Sequence, residues 1–308
     1  MIDYGTPAGP RRPGRKRASG RNPLRRVMTA MVVAVAVAAA LITDHVLTGR
    51  TALAAQPADH GSYTSVAEPL RLGACIDPTL SIEQSFAPAI RADLAAGIGG
   101  LTPPSGPPLT GTSTASRPAV SLLVREVDTT SFSSDPGPYA AQVAVPGVPG
   151  LSQPRPVPSD VNYAADLTAW SQGAQTVMED RKTAAAAVSG ATQALAALPL
   201  DQNPASNSAI TACVSALLVN VPAGDRHSYL LASDLEENVP PELQGSFGGA
   251  PLYIVQTCDS GIASTCEALL HHFEALMRHL DVGPVTVIRP EEAGPDIAQW
   301  IRTGEITP

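Results

Sequence analysis

The chain has 308 residues, and its 20 Lys/Arg and 28 Asp/Glu give a formal net charge of −8 at pH 7. Eight of the basic residues and one acidic residue lie before residue 27, so the remainder has 12 basic and 27 acidic residues, a net charge of −15. A surface of that sign repels phosphate backbones, which argues against a nucleic-acid partner and suits metal cations.

The N-terminal segment indicates export. Residues 1–26 are basic and rich in Pro and Gly, which predicts a disordered tail that stays in the cytoplasm. Residues 27–43 form an uncharged run rich in Ala and Val, close to the roughly 20 residues of a spanning helix. We therefore assign residues 27–47 to a transmembrane helix or signal anchor of a single-pass membrane protein. The alternative is a signal peptide cleaved near Ala54, which would make the protein secreted.

After a polar linker at residues 48–69, six apolar runs read as strands of one extracytoplasmic domain at residues 70–303, followed by a tail at 304–308. They are residues 70–76, 120–127, 140–145, 229–232, 252–255 and 285–288. The third run is expected at an edge, because Pro146 stops it. The segments between the runs have helical periodicity or are rich in Ala, at residues 82–98, 164–198, 210–218, 269–280 and 295–301. Ser264 and Thr265 are expected to cap the fourth of these helices, and Pro88 is tolerable only in a first turn.

Strands that alternate with helices predict a doubly wound α/β fold, with a mostly parallel sheet and helices on both faces. The Pro- and Gly-rich stretches at residues 100–118 and 136–159 read as exposed loops, the second long enough to face a ligand. The chain composition is typical of high-GC bacterial coding.

The four cysteines are an even number in a chain expected in an oxidising compartment. We favour the pairs Cys258–Cys266 and Cys75–Cys213. The alternative for the second pair is two small buried residues without a bond.

Oxygen-bearing side chains follow two of the predicted strands. Asp77, Thr79 and Ser81 form a D-x-T-x-S pattern after the first strand, and Asp234 follows the strand at residues 229–232. Ser208 stands where the central helix begins. In open α/β sheets ligands bind at the carboxyl ends of strands where the strand order reverses, so these side chains can meet there. Such oxygen ligands suit Mg²⁺ or Mn²⁺ and tolerate Ca²⁺.

This constellation resembles the metal-ion-dependent adhesion site of the von Willebrand factor A (VWA) domain family, which includes integrin-type inserted domains. The family has a D-x-S-x-S loop after the first strand, a Thr before a central helix and an Asp after the fourth strand. The resemblance implies sheet order 3-2-1-4-5-6 with an antiparallel third strand. It also implies a metal-dependent protein-binding module in which a partner Asp or Glu completes the coordination. The chain departs from the pattern at Thr79 and at Ser208, whose role neighbouring Ser206 could fill.

Each candidate also has a purely structural interpretation. Asp77 or Ser81 could cap a helix, and Asp234 could belong to a solvated acidic turn with Glu236 and Glu237. Three histidines without metal-ligand spacing are interpreted as a solvated helix face, at His271, His272 and His279.

The functional expectation is therefore a binding module and not an enzyme, since the sequence contains no recognisable nucleophile with its base. The first alternative is a metal-free structural or assembly component of an envelope complex. The second is a metal-dependent hydrolase that uses the same oxygens.

Overall fold

The computed structural model describes residues 63–64, 66–78, 84–106, 116–127, 140–151, 154–199, 208–220, 226–237, 239–241, 243–257 and 263–307. All of them belong to the compact unit Pro57–Pro308. The predicted tail and membrane helix at residues 1–47 lie outside these ranges. Within the described residues, no helix combines the length and the apolar character that a membrane crossing needs.

Eight strands and five α-helices are present in the described part of the chain. In chain order they are β1 (Tyr63–Thr64), β2 (Leu70–Ile76), α1 (Phe86–Gly99), β3 (Val120–Glu126), β4 (Ala140–Val145), β5 (Gly150–Leu151), α2 (Tyr163–Ala196), α3 (Ile210–Asn220), β6 (Arg226–Ser233), β7 (Leu252–Gln256), α4 (Ala263–Arg278), β8 (Val285–Ile288) and α5 (Ala293–Thr303), with a 3-10 turn at Pro290–Glu292.

Six strands form the main sheet, in the order β4-β3-β2-β6-β7-β8. Only β4 runs antiparallel to its neighbour, and the other pairings are parallel. Counted along this sheet the order is 3-2-1-4-5-6. The predicted α/β class with a mostly parallel sheet is confirmed. Its central strands are nearly continuous apolar runs, because a parallel sheet covered by helices is buried on both faces.

Two apolar clusters cover the two faces of the sheet. The first cluster joins Ile76 and the other side chains on the same face of β2 to α1 and α5, and its Trp300 is fully buried. The other joins Cys75 and the opposite face of the sheet to α3 and α4. On this second face a Cβ at Gly73 would lie 2.9 Å from the Tyr229 ring, so glycine allows the ring to pack across β2.

The local helix predictions are confirmed in part. The Ala-rich stretch, for which the sequence allows one or two helices, forms one helix, α2. Ser264 and Thr265 lie inside the first turn of α4, so the prediction that they cap this helix is wrong. Pro88 is the third residue of α1, as a first-turn proline must be. The final helix begins two residues before Pro295, which also falls in a first turn.

The predicted linker and the second predicted loop pair with each other. Tyr63–Thr64 of the linker forms β1, antiparallel to β5 at Gly150–Leu151 in that loop. Since β4 is antiparallel, its end at Val145 pairs with Val120, at the start of β3. Residues 146–151 therefore follow β4 at the amino-terminal edge of the sheet, and this part of the loop does not face the ligand edge as predicted. The predicted tail is packed as well, because Ile306 is buried and its N–H donates to the Tyr253 hydroxyl, 3.1 Å away.

Candidate functional site

The carboxyl ends of β2 and β6 lie side by side where the strand order reverses. Ile76 is in register with Ala232, and the Asp77 N–H donates to the Ala232 carbonyl at 2.9 Å. Chain connections leave β2 in one direction, toward β3, and β6 lies on its other side. Asp77 and Asp234 therefore follow adjacent strands at the switch point, the place where open α/β sheets bind ligands.

Asp77 is a fully buried acid, with 0% of its surface exposed. Its Oδ2 accepts a hydrogen bond of 2.7 Å from the Ser233 hydroxyl, whose oxygen accepts the Leu235 N–H at 3.0 Å. Asp77 precedes the first residue of α1 by nine positions, so it does not cap that helix. Sequence reasoning missed Ser233, although strand alternation from Leu231 places it on the α3 face.

Asp234 is half-buried and begins a tight turn. Its Oδ1 accepts the Glu236 N–H at 3.0 Å, an Asx turn, so the predicted turn role is present. Leu235 has φ 66°, a conformation that costs a non-glycine residue about 1–2 kcal/mol. The Ser233 bond and the burial of the Leu235 side chain hold the turn in this conformation. Backbone strain of this kind is often found at functional sites.

Glu237 is the member of this turn that sequence analysis misjudged. It is partly buried rather than solvated, and its Oε1 accepts the Thr211 N–H at 3.0 Å and also the Thr211 hydroxyl. Oε2 is buried and has no hydrogen-bond partner among the described residues. Burial raises the pKa of Glu237, while the Thr211 hydrogen bonds and the charge of His272 oppose that shift.

Ser208 is buried two residues before α3 begins. Residues 210–218 of α3 are all buried, so this part of the helix is covered on all sides. The Ser215 hydroxyl accepts the Gln244 N–H at 2.9 Å, so the segment after β6 follows α3 along its length. Thr79, Ser81 and Ser206 lie outside the described residues.

A disulfide joins two elements of the candidate site. Cys75 and Cys213 are bonded across a sequence separation of 138, which confirms the predicted pairing and excludes two unbonded residues. Cys75 lies two residues before Asp77, and Cys213 lies five after Ser208. Cys266 is also disulfide-bonded, and its predicted partner Cys258 lies outside the described residues.

Two further buried charges end β3, at Arg125 and Glu126. Strand alternation places Arg125 on the same face as Leu123 and Val127, which pack in the α3 cluster. The Arg125 side chain therefore leaves β3 on the face of the sheet that carries Asp77. The protein thus places one of its own positive charges, the Arg125 guanidinium, at this edge. Sequence analysis did not select Arg125, because it lies within the largely apolar run at residues 120–127, which is typical of a buried strand.

The predicted metal ligands lie partly within the described residues. The described residues contain no cluster of three or more His, Cys, Asp or Glu able to hold an ion. The predicted ligand set has two carboxylates and three hydroxyls, and two of those hydroxyls are outside the described ranges. His271 is exposed and lies 3.8 Å from both Glu267 and Glu274, as expected for a solvated helix face.

No protein-family model matches the chain, and no curated protein matches it at a significant level.

Proposed function

We propose that the domain is a VWA-like binding module that holds a divalent cation at the switch point and recognises a carboxylate of a protein partner. The observation that carries the proposal is the buried Asp77 carboxylate, which meets Ser233 next to Asp234 at adjacent strand ends. A buried acid needs a counter-charge or strong hydrogen bonds, because desolvation penalises its ionised form.

The donor chemistry at this edge fits a hard cation. Asp77 and Asp234 would hold the ion or its waters, and Thr79, Ser81 and Ser208 would ligate it directly or through water. All five donors are oxygens, which Mg²⁺, Mn²⁺ and Ca²⁺ prefer. The bound ion would supply an electrophilic position for the partner Asp or Glu. The strand order 3-2-1-4-5-6 with an antiparallel third strand is the order that the VWA resemblance implies, and it supports the proposal.

The ion is tested by calorimetric titration of the purified full chain in mild detergent with MgCl₂ and MnCl₂. Saturable heat is expected for the wild type, and Asp77→Asn should weaken affinity at least about tenfold, because even residues that only support metal ligands have effects of that size. Glu236→Gln is the matched control, since it removes one exposed charge from the same turn. If the wild type gives no saturable heat with either ion, or Asp77→Asn binds as well as wild type, the metal proposal is wrong.

The proposed location is outside the cytoplasmic membrane, held by the segment at residues 27–47 or released from it. The disulfide Cys75–Cys213 supports this location, because such bonds persist in oxidising compartments. In intact cells of the native host, a protease added outside should degrade the domain. Protection that persists until the cells are lysed would contradict this location.

One observation favours a second candidate, a metal-free envelope component. The buried Arg125 starts on the Asp77 face and would serve as the counter-charge in place of an ion. In that case Asp77→Asn and Arg125→Gln would be coupled by at least about 1 kcal/mol in a double-mutant cycle of unfolding without metal. Mn²⁺ would then leave the melting temperature unchanged.

A further inference from the structure

The three segments that form the candidate site are linked pairwise within the described structure. They are the end of β2, the start of α3, and the turn after β6. The three links are Ser233 to Asp77 between β6 and β2, Cys75 to Cys213 between β2 and α3, and Glu237 to Thr211 between the turn and α3.

The third link depends on one side chain. The first N–H groups of an α-helix have no partner within the helix, and they attract negative charge. Thr211 is the second residue of α3, and a single oxygen of Glu237 accepts both its N–H and its hydroxyl. Glu237 therefore caps α3 from a segment 26 residues away in sequence.

The cost of this arrangement suggests a specific role. Oε2 of Glu237 is buried and has no partner among the described residues, and a buried polar atom without a hydrogen bond destabilises the folded state. Glu236 beside it is exposed, so the turn could have kept both carboxylates in water. Leu235, two residues before Glu237, has a left-handed φ of 66° in the same turn.

We propose that Glu237 is a positioning residue that fixes the start of α3, and Ser208 with it, against the turn that carries Asp234. Its carboxylate acts by accepting hydrogen bonds from Thr211 and is not itself a ligand. A further tie, from the Gln244 N–H to the Ser215 hydroxyl, joins the segment after this turn to α3 four residues beyond Thr211, whereas Glu237 holds the first turn of the helix. The consequence for cation affinity rests on the proposed function, whereas the tether itself does not.

The tether is tested by amide hydrogen exchange of the full chain, followed at Thr211, Ala212 and Cys213. Glu237→Ala should speed exchange of the Thr211 amide by about tenfold, since it removes a charge-assisted bond. Glu237→Gln keeps an acceptor oxygen and should restore slow exchange, and Glu236→Ala is the matched control and should change nothing. The tether is refuted if Glu237→Ala leaves exchange at the wild-type rate, if Glu237→Gln speeds it as much, or if Glu236→Ala speeds it equally.

A second variant covers the case in which Glu237→Ala does not fold. Thr211→Val keeps the Glu237 charge and removes only the hydroxyl donor, so exchange should quicken by a smaller factor. An unchanged rate in this variant would overturn the proposal.

The expected effect on cation affinity is measured separately, by Mn²⁺ titration of the same variants. If the wild type binds Mn²⁺, Glu237→Ala should bind more weakly than Glu237→Gln, and equal affinities would refute the positioning role. If the wild type does not bind Mn²⁺, the proposed function fails, while the exchange result still decides the tether.

Discussion

The two faces of the sheet are held in different ways. The face under α1 and α5 is an apolar cluster around the fully buried Trp300, with polar contacts that include those from the Trp300 N–H to the Ser228 hydroxyl at 2.7 Å and from the Ile306 N–H to the Tyr253 hydroxyl at 3.1 Å. The face under α3 has an apolar cluster too, but a disulfide and several polar links also fix its helix. Apolar packing is non-directional, whereas covalent and hydrogen bonds define a position. The helix whose position these bonds define is α3, which begins at the candidate site.

The largest effect is expected from a substitution in the apolar cluster under α1 and α5. Trp300→Ala should lower the free energy of unfolding by about 3–5 kcal/mol, because it removes a fully buried ring and leaves a cavity. Urea unfolding measures it, with exposed Val219→Ala expected within about 0.5 kcal/mol of wild type. A loss below about 1 kcal/mol for Trp300→Ala would mean that this face does not depend on the ring.

Removing the disulfide tests how the face under α3 is held. The double variant Cys75→Ala and Cys213→Ala should lose about 2–5 kcal/mol, because the bond closes a long loop and so restricts the unfolded chain. Urea unfolding without reductant keeps the disulfide of Cys266 intact. An unchanged unfolding free energy would show that packing alone holds α3 on the sheet.

Two serines on opposite faces give a matched comparison. Ser233→Ala removes a donor to the buried Asp77 carboxylate and should cost about 1–3 kcal/mol. Ser228→Ala removes an acceptor of the neutral Trp300 N–H and should cost less, because bonds to charged groups are roughly twice as strong. The test compares the unfolding free energies of the two variants. Equal losses would indicate that Asp77 depends little on the Ser233 hydroxyl.

The smallest expected effect is a pH dependence from Glu237. Burial raises its pKa above the usual 4.5, because ionisation of Glu237 costs more in the folded protein than in the unfolded chain. The free energy of unfolding therefore falls as pH rises from about 4.5 through the raised pKa, although the ionised carboxylate still accepts the Thr211 hydrogen bonds. His272 is the charged group that opposes this shift. Relative to wild type, Glu237→Gln should therefore gain stability as pH rises from 4 to 8, measured by urea unfolding at each pH. A difference that is independent of pH would contradict the shift.

The sequence predicted the sheet well, because its signals are local. The run Leu70–Ile76 was assigned with its observed bounds, and the edge strand Ala140–Val145 likewise. β6 was predicted too short, since its ends carry Arg226 and Ser233, whose polarity conceals a strand. β1 was missed altogether, because two residues become a strand only by pairing with Gly150–Leu151.

The candidate site was predictable only in outline. Parallel strands place their carboxyl ends at one edge, so Asp77 and Asp234 could be expected near each other. Ser233, Arg125 and Glu237 were not selected, because burial of a polar side chain depends on what covers it.

The sequence by itself indicated the six strands of the main sheet and the five α-helices, because apolar periodicity and runs of helix-forming residues act within a few positions along the chain. It also indicated the pairing of Cys75 with Cys213. Only the tertiary structure decided between Glu236 and Glu237, two identical neighbours of which one stays exposed and the other caps α3. Their difference comes from the helix that folds against one of them, and no local pattern encodes that contact.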